Sequence, residues 1–177
     1  MSFPIEEFLG KVCCGTGHRP PKLGGYSDEV WHSVIDLAVL FLMRLKPQRV
    51  ITGMALGWDQ ALAWACMRPE VNIPFVAAIP FRGQAGRWPE RSQREYMHLL
   101  SNASEVVELH NRAPNGAEVS RWMQERNVWM VNEAEYVVAL WDGIERGGTW
   151  NCVAYARTQN KPIVNMWQRY NTPEGGE

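Results

Sequence analysis

The 177 residues carry no excess of basic charge, no long apolar run and no paired-cysteine motif, and each absence removes a class of function. Eighteen Lys and Arg against nineteen Asp and Glu leave a net charge of −1. A chain that lies along a nucleic-acid backbone usually has a basic surplus, so nucleic acid is the less expected partner. The longest apolar stretch, residues 34–43, is broken by Asp36 and is well short of the roughly 20 residues that span a bilayer, so no membrane partner is expected. Met1-Ser2-Phe3-Pro4-Ile5-Glu6-Glu7 lacks the basic start and apolar run of a signal peptide. Cys13, Cys14, Cys66 and Cys152 form no Cys-x-x-Cys pair. That pattern suits free thiols in a reducing cytoplasm, with no disulfide framework and no metal site. There is no internal repeat, low-complexity segment or long linker. Residues 1–170 therefore read as one domain, with 171–177 as a mobile tail.

What the chain does contain is a recurring unit: a short apolar run, a Gly-bearing loop, then a helical pattern. Strands are expected at 11–15, 49–52, 73–79, 105–109, 136–141 and 162–166, and helices at 28–45, 58–67, 88–101, 119–133 and 149–159. Ser27 is placed to cap the first helix, whose Val30, Val34, Leu37, Ala38, Phe41 and Leu45 share a face. Cys13 and Cys14 should point to opposite faces of the first strand. The alternation predicts an α/β, Rossmann-like three-layer fold, with a mainly parallel sheet flanked by helices. The unbroken apolar runs at 75–79 and 136–141 fit central strands covered on both sides. In such folds ligands bind beyond the carboxyl ends of the strands, which directs attention to the loops there.

After the first strand comes Gly15-Thr16-Gly17-His18-Arg19-Pro20-Pro21. Pro20 takes the place of the third glycine of a dinucleotide fingerprint, which argues against an NAD-type turn. His18 and Arg19 are either ligand groups on a stiff loop or parts of a solvated turn directed by the prolines. After the second strand, Thr52-Gly53-Met54-Ala55-Leu56-Gly57-Trp58-Asp59 opens an alanine-rich helix. Asp59 in its first turn suits the helix dipole. As a ligand group it would repel phosphate and accept hydrogen bonds from ribose hydroxyls. After the fifth strand, Asp142-Gly143-Ile144-Glu145-Arg146-Gly147-Gly148-Thr149 offers glycines, free amides, a hydroxyl and Arg146, a cradle for an anion; the plainer alternative is an N-cap threonine after a glycine turn. Pro80-Phe81-Arg82-Gly83-Gln84-Ala85-Gly86-Arg87-Trp88 holds arginines, an amide and two aromatics suited to a charged, ring-bearing ligand. Met123, Arg126 and Met130 share a helix face, where a cation among apolar groups needs a partner in a ligand or in a buried ion pair.

Together these segments resemble the SLOG superfamily of Rossmann-like nucleotide-binding proteins, and its YpsA-like branch in particular. The resemblance covers nearly the whole chain. It rests on Cys14-Gly15-Thr16-Gly17-His18-Arg19-Pro20, on Thr52 to Asp59, on Ile79-Pro80-Phe81 with Gln84 and Trp88, on Arg126-Asn127-x-x-Met130-Val131, and on Trp141-Asp142-Gly143 followed by Gly147-Gly148-Thr149 and Tyr155-Ala156. It implies a nucleotide or nucleotide-derived ligand bound across these loops. The superfamily includes the LOG phosphoribohydrolases, which cleave a base from a nucleoside monophosphate, and DprA, which binds single strands. Met123, Arg126, Asn127 and Met130 match the LOG Met-x-x-Arg-Lys-x-x-Met helix except that Asn127 replaces the lysine. Their Pro-Gly-Gly-x-Gly-Thr-x-x-Glu motif is matched only at Gly147-Gly148-Thr149, and Cys152 stands where they have the catalytic glutamate. A neutral thiol does not stabilise the positive charge that develops when an N-glycosidic bond breaks.

The expected function is thus binding of a nucleotide-derived ligand (nucleotide-sugar, ADP-ribose or NAD-like) by a sensor or regulatory domain, with no further cofactor. Arg126, Arg87 and Gly147 to Thr149 would hold phosphate, Asp59 the ribose, and Trp88 or Phe81 the base, with the other loop residues named above as neighbours. The alternative is a nucleotide N-glycosidase using Arg126 and Asp59, or Asp142. Single-strand binding ranks third: the nine tryptophans favour it and the balanced charge opposes it. Trp31, Trp122 and Trp167 are more ring surface than a small core covers, so a homo-oligomer is also expected.

Overall fold

A segment that is apolar at every position is stable only in a sheet covered on both faces. Tyr136–Leu140 (β5) meets that condition, with all five residues buried. In the computed structural model, which describes residues 5–172, β5 lies inside a six-stranded parallel sheet of order β4-β3-β2-β1-β5-β6. The other strands are Val12–Gly17 (β1), Arg49–Thr52 (β2), Phe75–Ile79 (β3), Glu105–Glu108 (β4) and Ile163–Asn165 (β6). The helices are Asp28–Leu45 (α1), Trp58–Cys66 (α2), Glu90–Asn102 (α3), Glu118–Glu133 (α4), Gly147–Thr158 (α5) and Trp167–Tyr170 (α6). This is the expected Rossmann-like α/β architecture. No helix among the described residues is long and apolar enough to cross a membrane.

The side chains of β1 divide between two cores. Cys13 packs with α1, α2 and α3 residues such as Phe41, Leu62 and Leu99, and Cys14 packs with Met130 and Val131 of α4 and with Cys152 and Ala156 of α5. Adjacent cysteines on opposite faces are what a strand's two-residue period requires. All four thiols are free and buried. Burial pushes Cys13 up to about 12 and Cys152 to about 11, so these thiols are neutral.

Element ends differ from the sequence expectations in instructive ways. Pro74 lacks an N–H for the ladder, and β3 starts only at Phe75. Pro89 likewise fixes the start of α3 at Glu90. β1 runs on to Gly17, paired with Leu140 of β5. α5 starts two residues earlier than expected, which places Gly147 and Gly148 inside its first turn. The short α6 was not expected: its Trp167 meets His18 edge-on, ring centroids 5.4 Å apart, and its Tyr170 hydroxyl donates to the Leu23 carbonyl. Asn171 and Thr172 hydrogen-bond back to α6, and residues 173–177, most of the expected tail, lie outside the described residues.

The sheet order reverses between β1 and β5. From β1 the chain winds outward through β2, β3 and β4, then returns to place β5 on the other side of β1. The loops after β1 and β5 therefore diverge and leave a crevice between them. Its β1 side is set by a close backbone contact. Trp58 N–H donates to the His18 carbonyl at 3.3 Å, and Gly57 has φ +100°. A Cβ on Gly57 would lie 2.4 Å from that carbonyl oxygen, whereas one on Gly143 (φ +85°) would meet nothing within 4 Å. Gly143→Ala is therefore expected to lose only the left-handed-region penalty of about 1–2 kcal/mol. Gly57→Ala must also displace backbone and should lower the melting temperature clearly further. Equal losses in thermal unfolding would contradict this contact.

Candidate functional site

Four chain segments line the crevice, which has a volume of about 510 Å³. The β1 end and its loop contribute Thr16 to Arg19, Pro21 and Lys22; the β2–α2 loop and α2 contribute Ala55 and Asp59. Helix α4 adds Met123, Arg126 and Asn127, and the start of α5 adds Arg146, Gly147, Gly148 and Thr149. Asp59, Arg126 and Thr149, from three distant stretches of sequence, thus face one space.

Arg126 is buried, and two of its nitrogens are held by protein hydrogen bonds. Nη1 donates to the Gly53 carbonyl and lies 4.0 Å from Asp59 Oδ2, and Nε donates to Asn127 Oδ1 at 3.2 Å. No hydrogen bond occupies Nη2 among the described residues. Burial lowers the pKa of this guanidinium and Asp59 raises it, yet a guanidinium stays charged in a protein. A Cβ at position 53 would lie 1.9 Å from Arg126 Nη1, so a side chain there would displace the guanidinium.

Asp59 faces Arg126 from α2. Its Oδ2 accepts the Ala55 N–H at 3.4 Å, and its own carbonyl accepts the Thr52 hydroxyl at 2.7 Å, which ties the β2–α2 loop into a compact turn. Burial raises the carboxyl from its ordinary 3.8 to about 6, and Arg126, the Ala55 amide and Arg19 hold it from going higher. At neutral pH it is a partly desolvated carboxylate, suited to accepting hydrogen bonds from hydroxyl groups.

The start of α5 is open. Its N-cap residue, Arg146, offers no side-chain acceptor, and no protein acceptor among the described residues meets the N–H groups of Gly147, Gly148 and Thr149. These are the unpaired donors that every helix start presents, at the positive end of the dipole. Thr149 Oγ1 donates to the Gly17 carbonyl at 3.0 Å, and Asn127 Nδ2 donates to the Gly148 carbonyl at 3.4 Å. The opening turn is therefore fixed to β1 and to α4. Arg19, Lys22, Arg126 and Arg146 all line the space, with Asp59 as the one carboxylate among the described residues that does.

Asp142 braces the crevice instead of lining it. Its Oδ2 accepts Lys22 Nζ at 2.8 Å, and its Oδ1 lies 2.9 Å from His18 Nε2. Partial burial raises its pKa, but Lys22, the Ile144 amide and His18 outweigh that and hold it at about 2. Burial lowers the His18 pKa, against the pull of Asp142.

Several residues selected from sequence stand elsewhere. Gly15 packs against α2, where a Cβ would meet Leu62 at 2.2 Å. Thr52, Gly53 and Gly57 shape the β2–α2 loop behind the crevice wall. Pro80, Phe81, Gln84, Arg87 and Trp88 follow β3, which is two strands from the reversal, and none of them lines the crevice. Gln84 is buried, with Nε2 on the Gly53 carbonyl at 3.0 Å and Oε1 accepting the Tyr96 hydroxyl at 3.3 Å. Trp88 packs edge-on against Tyr96, Phe81 tilts against Trp122, and Arg87 is exposed. Gly143 is exposed after β5. Trp122 is buried under His110 and Arg112, while Trp31 and Trp167 are half-buried. Lys22 and Pro21 were missed as lining residues, and the 3-10 turn at Pro20–Lys22 is what turns them inward. No group of His, Cys, Asp and Glu among the described residues has a metal-binding arrangement.

The Asp59 shift has a definite sign. Between pH 3.8 and about 6 the folded state keeps a proton that the unfolded chain has lost. Folding is therefore favoured at the low end of that window and weakens as pH rises through it, by up to roughly 3 kcal/mol. Asp59→Asn lacks this slope. Urea unfolding at pH 4 and pH 7 should show wild type losing stability relative to the variant, and parallel pH profiles would contradict a buried carboxylate at this position.

Comparison with known proteins agrees with the fold. The YpsA profile, described as the YspA SLOG family, matches residues 13–167. The chain is similar to the uncharacterized SPbeta prophage-derived protein YoqJ of Bacillus subtilis (strain 168), 34% identical over 119 residues, covering 62% of this chain and 69% of YoqJ. Among solved structures, DprA from Streptococcus pneumoniae aligns over 91% of this chain with a TM-score of 0.58 and 17% identity. The chain spans about half of that DprA, 51% of its length. A DprA from Helicobacter pylori, described for its single-stranded DNA binding mode, aligns over 89% of this chain and 65% of its own, with a TM-score of 0.61 and 14% identity. TM1055 aligns over 86% of this chain and 72% of its own, with a TM-score of 0.55 and 18% identity. At these identities the structures speak for the fold alone. The profile covers most of the chain, and the chain belongs to the YspA SLOG family.

Proposed function

We propose that the crevice binds the ribosyl-phosphate part of a nucleotide or nucleotide-derived ligand, and that the protein acts as a binding, sensory domain. The observation that carries this reading is an open α5 start sharing one space with a buried arginine and the buried carboxylate 4.0 Å from it. Phosphate is matched by the amides of Gly147, Gly148 and Thr149 and by Arg126, with Arg19, Lys22 and Arg146 adding positive potential. Asp59 is matched to ribose hydroxyls. No Phe, Tyr or Trp among the described residues lines the crevice, so the sugar phosphate and not the base supplies the anchor.

An N-glycosidase is the second reading, favoured by the raised pKa of Asp59, which puts a carboxyl able to exchange protons near neutrality beside Arg126. Cys152 argues against it, since it is buried, neutral and hydrogen-bonded to Thr16. Single-strand binding, the property for which the Helicobacter pylori DprA is described, has less support here: such sites stack bases on aromatic platforms, and the described residues of this crevice include none.

Calorimetry with nucleoside monophosphates, ADP-ribose and NAD tests the reading, with chromatography of the same mixtures for released base. Binding of at least one ligand without base release is expected, and Arg126→Gln should weaken it about tenfold or more, the effect of losing a hydrogen bond to a charged group. Free base appearing in proportion to protein would favour the glycosidase. Folded protein that binds none of the panel would overturn the assignment.

A further inference from the structure

A second cavity lies behind the wall that bounds the crevice. It has a volume of about 200 Å³, and its lining joins the apolar Leu23, Val30, Trp31, Val34 and Leu56 to Gln60 and to charged groups at the rim. The two spaces are separate because the His18–Arg19 backbone closes directly onto Gly57. Asp59 and Gln60, adjacent on α2, thus serve opposite sides of one partition: Asp59 faces the crevice and Gln60 the apolar cavity.

Gln60 gives this cavity its chemistry. The residue is 1% exposed, and its Nε2 donates to the Met54 carbonyl at 3.1 Å. That bond fixes which end of the amide is which, since a carbonyl needs a donor. Oε1 then accepts nothing from the described residues. Oε1 is therefore an acceptor left open to a donor that enters the cavity. At the rim, Arg91 pairs with Asp28 at 3.2 Å and with Glu95 at 3.0 Å, one cation against two carboxylates, so the rim offers nothing to an anionic ligand.

We propose that this cavity is a ligand site in its own right, taking a small neutral ring compound that carries one N–H or O–H donor for Gln60 Oε1. The size agrees: a dry apolar cavity of about 150 Å³ accepts benzene, and this one admits one or two fused rings. The apolar side chains supply contact area for a flat molecule, and the unpaired oxygen of Gln60 selects for the donor. The proposal does not rest on the nucleotide reading of the crevice.

The test is a titration of the full chain with indole and with 1-methylindole, followed by amide NMR. Indole should shift the Gln60 side-chain amide and the backbone amides of Val30 and Trp31, leave Gly147 to Thr149 unmoved, and bind about fivefold tighter than its methylated analogue. Gln60→Leu should bind the two compounds equally, and Val30→Trp, which fills the space without touching the Gln60–Met54 bond, should bind neither. Equal affinity of wild type for both compounds, shifts confined to the crevice, or no shifts at millimolar concentration would each overturn the proposal.

Discussion

Arg126 brings a permanent charge into the interior, and the geometry around the crevice follows from answering it. An uncompensated buried ion is unfavourable by several kcal/mol. Here the guanidinium is met by the Gly53 carbonyl, by Asn127 and by Asp59. Each partner imposes something further. A side chain on Gly53 would displace the guanidinium, the β2–α2 loop must present the Gly53 carbonyl, and Gln84 holds that same carbonyl from the β3 side. Asn127, by reaching Gly148, connects the arginine to the opening turn of α5. A positive centre with one free nitrogen and an uncapped helix start are therefore positioned by one network, and both favour an anion in the space between them.

The sheet order explains why this network sits where it does. At the reversal between β1 and β5 no crossover covers the strand ends, so polar groups there can face solvent or a ligand. Elsewhere the strand ends are closed by packing, as around β3, where Gln84, Tyr96 and Trp88 make a structural cluster. The loop after β3 has a composition suited to a ligand and a position that gives it to the core.

That contrast marks how far the sequence could be read. Periodicity and glycine placement were enough for the six strands, for the helix pairing Met123, Arg126 and Met130, and for the opposite faces of Cys13 and Cys14, because these depend on local pattern. Strand order is a long-range property. Without it, the loops after β1, β2, β3 and β5 looked equally eligible, and only three of them meet. The role of Asp142 was similarly hidden: a carboxylate after a buried strand reads as a ligand group until Lys22 and His18 are seen to occupy it. Gln60 gave no sequence signal at all, since its neighbour Asp59 carries the charge and its own role depends on which side of α2 the partition falls.

The central claim is that one crevice joins an anion-accepting helix start to a hydroxyl-accepting carboxylate. The most direct measurement is an amide-resolved NMR titration of the protein with ribose 5-phosphate. The account expects the largest downfield shifts at Gly147, Gly148 and Thr149, with the Arg126 side chain and the Ala55 amide beside Asp59 moving at the same ligand concentration. Saturable shifts centred on any other surface, with the start of α5 unaffected, would contradict it.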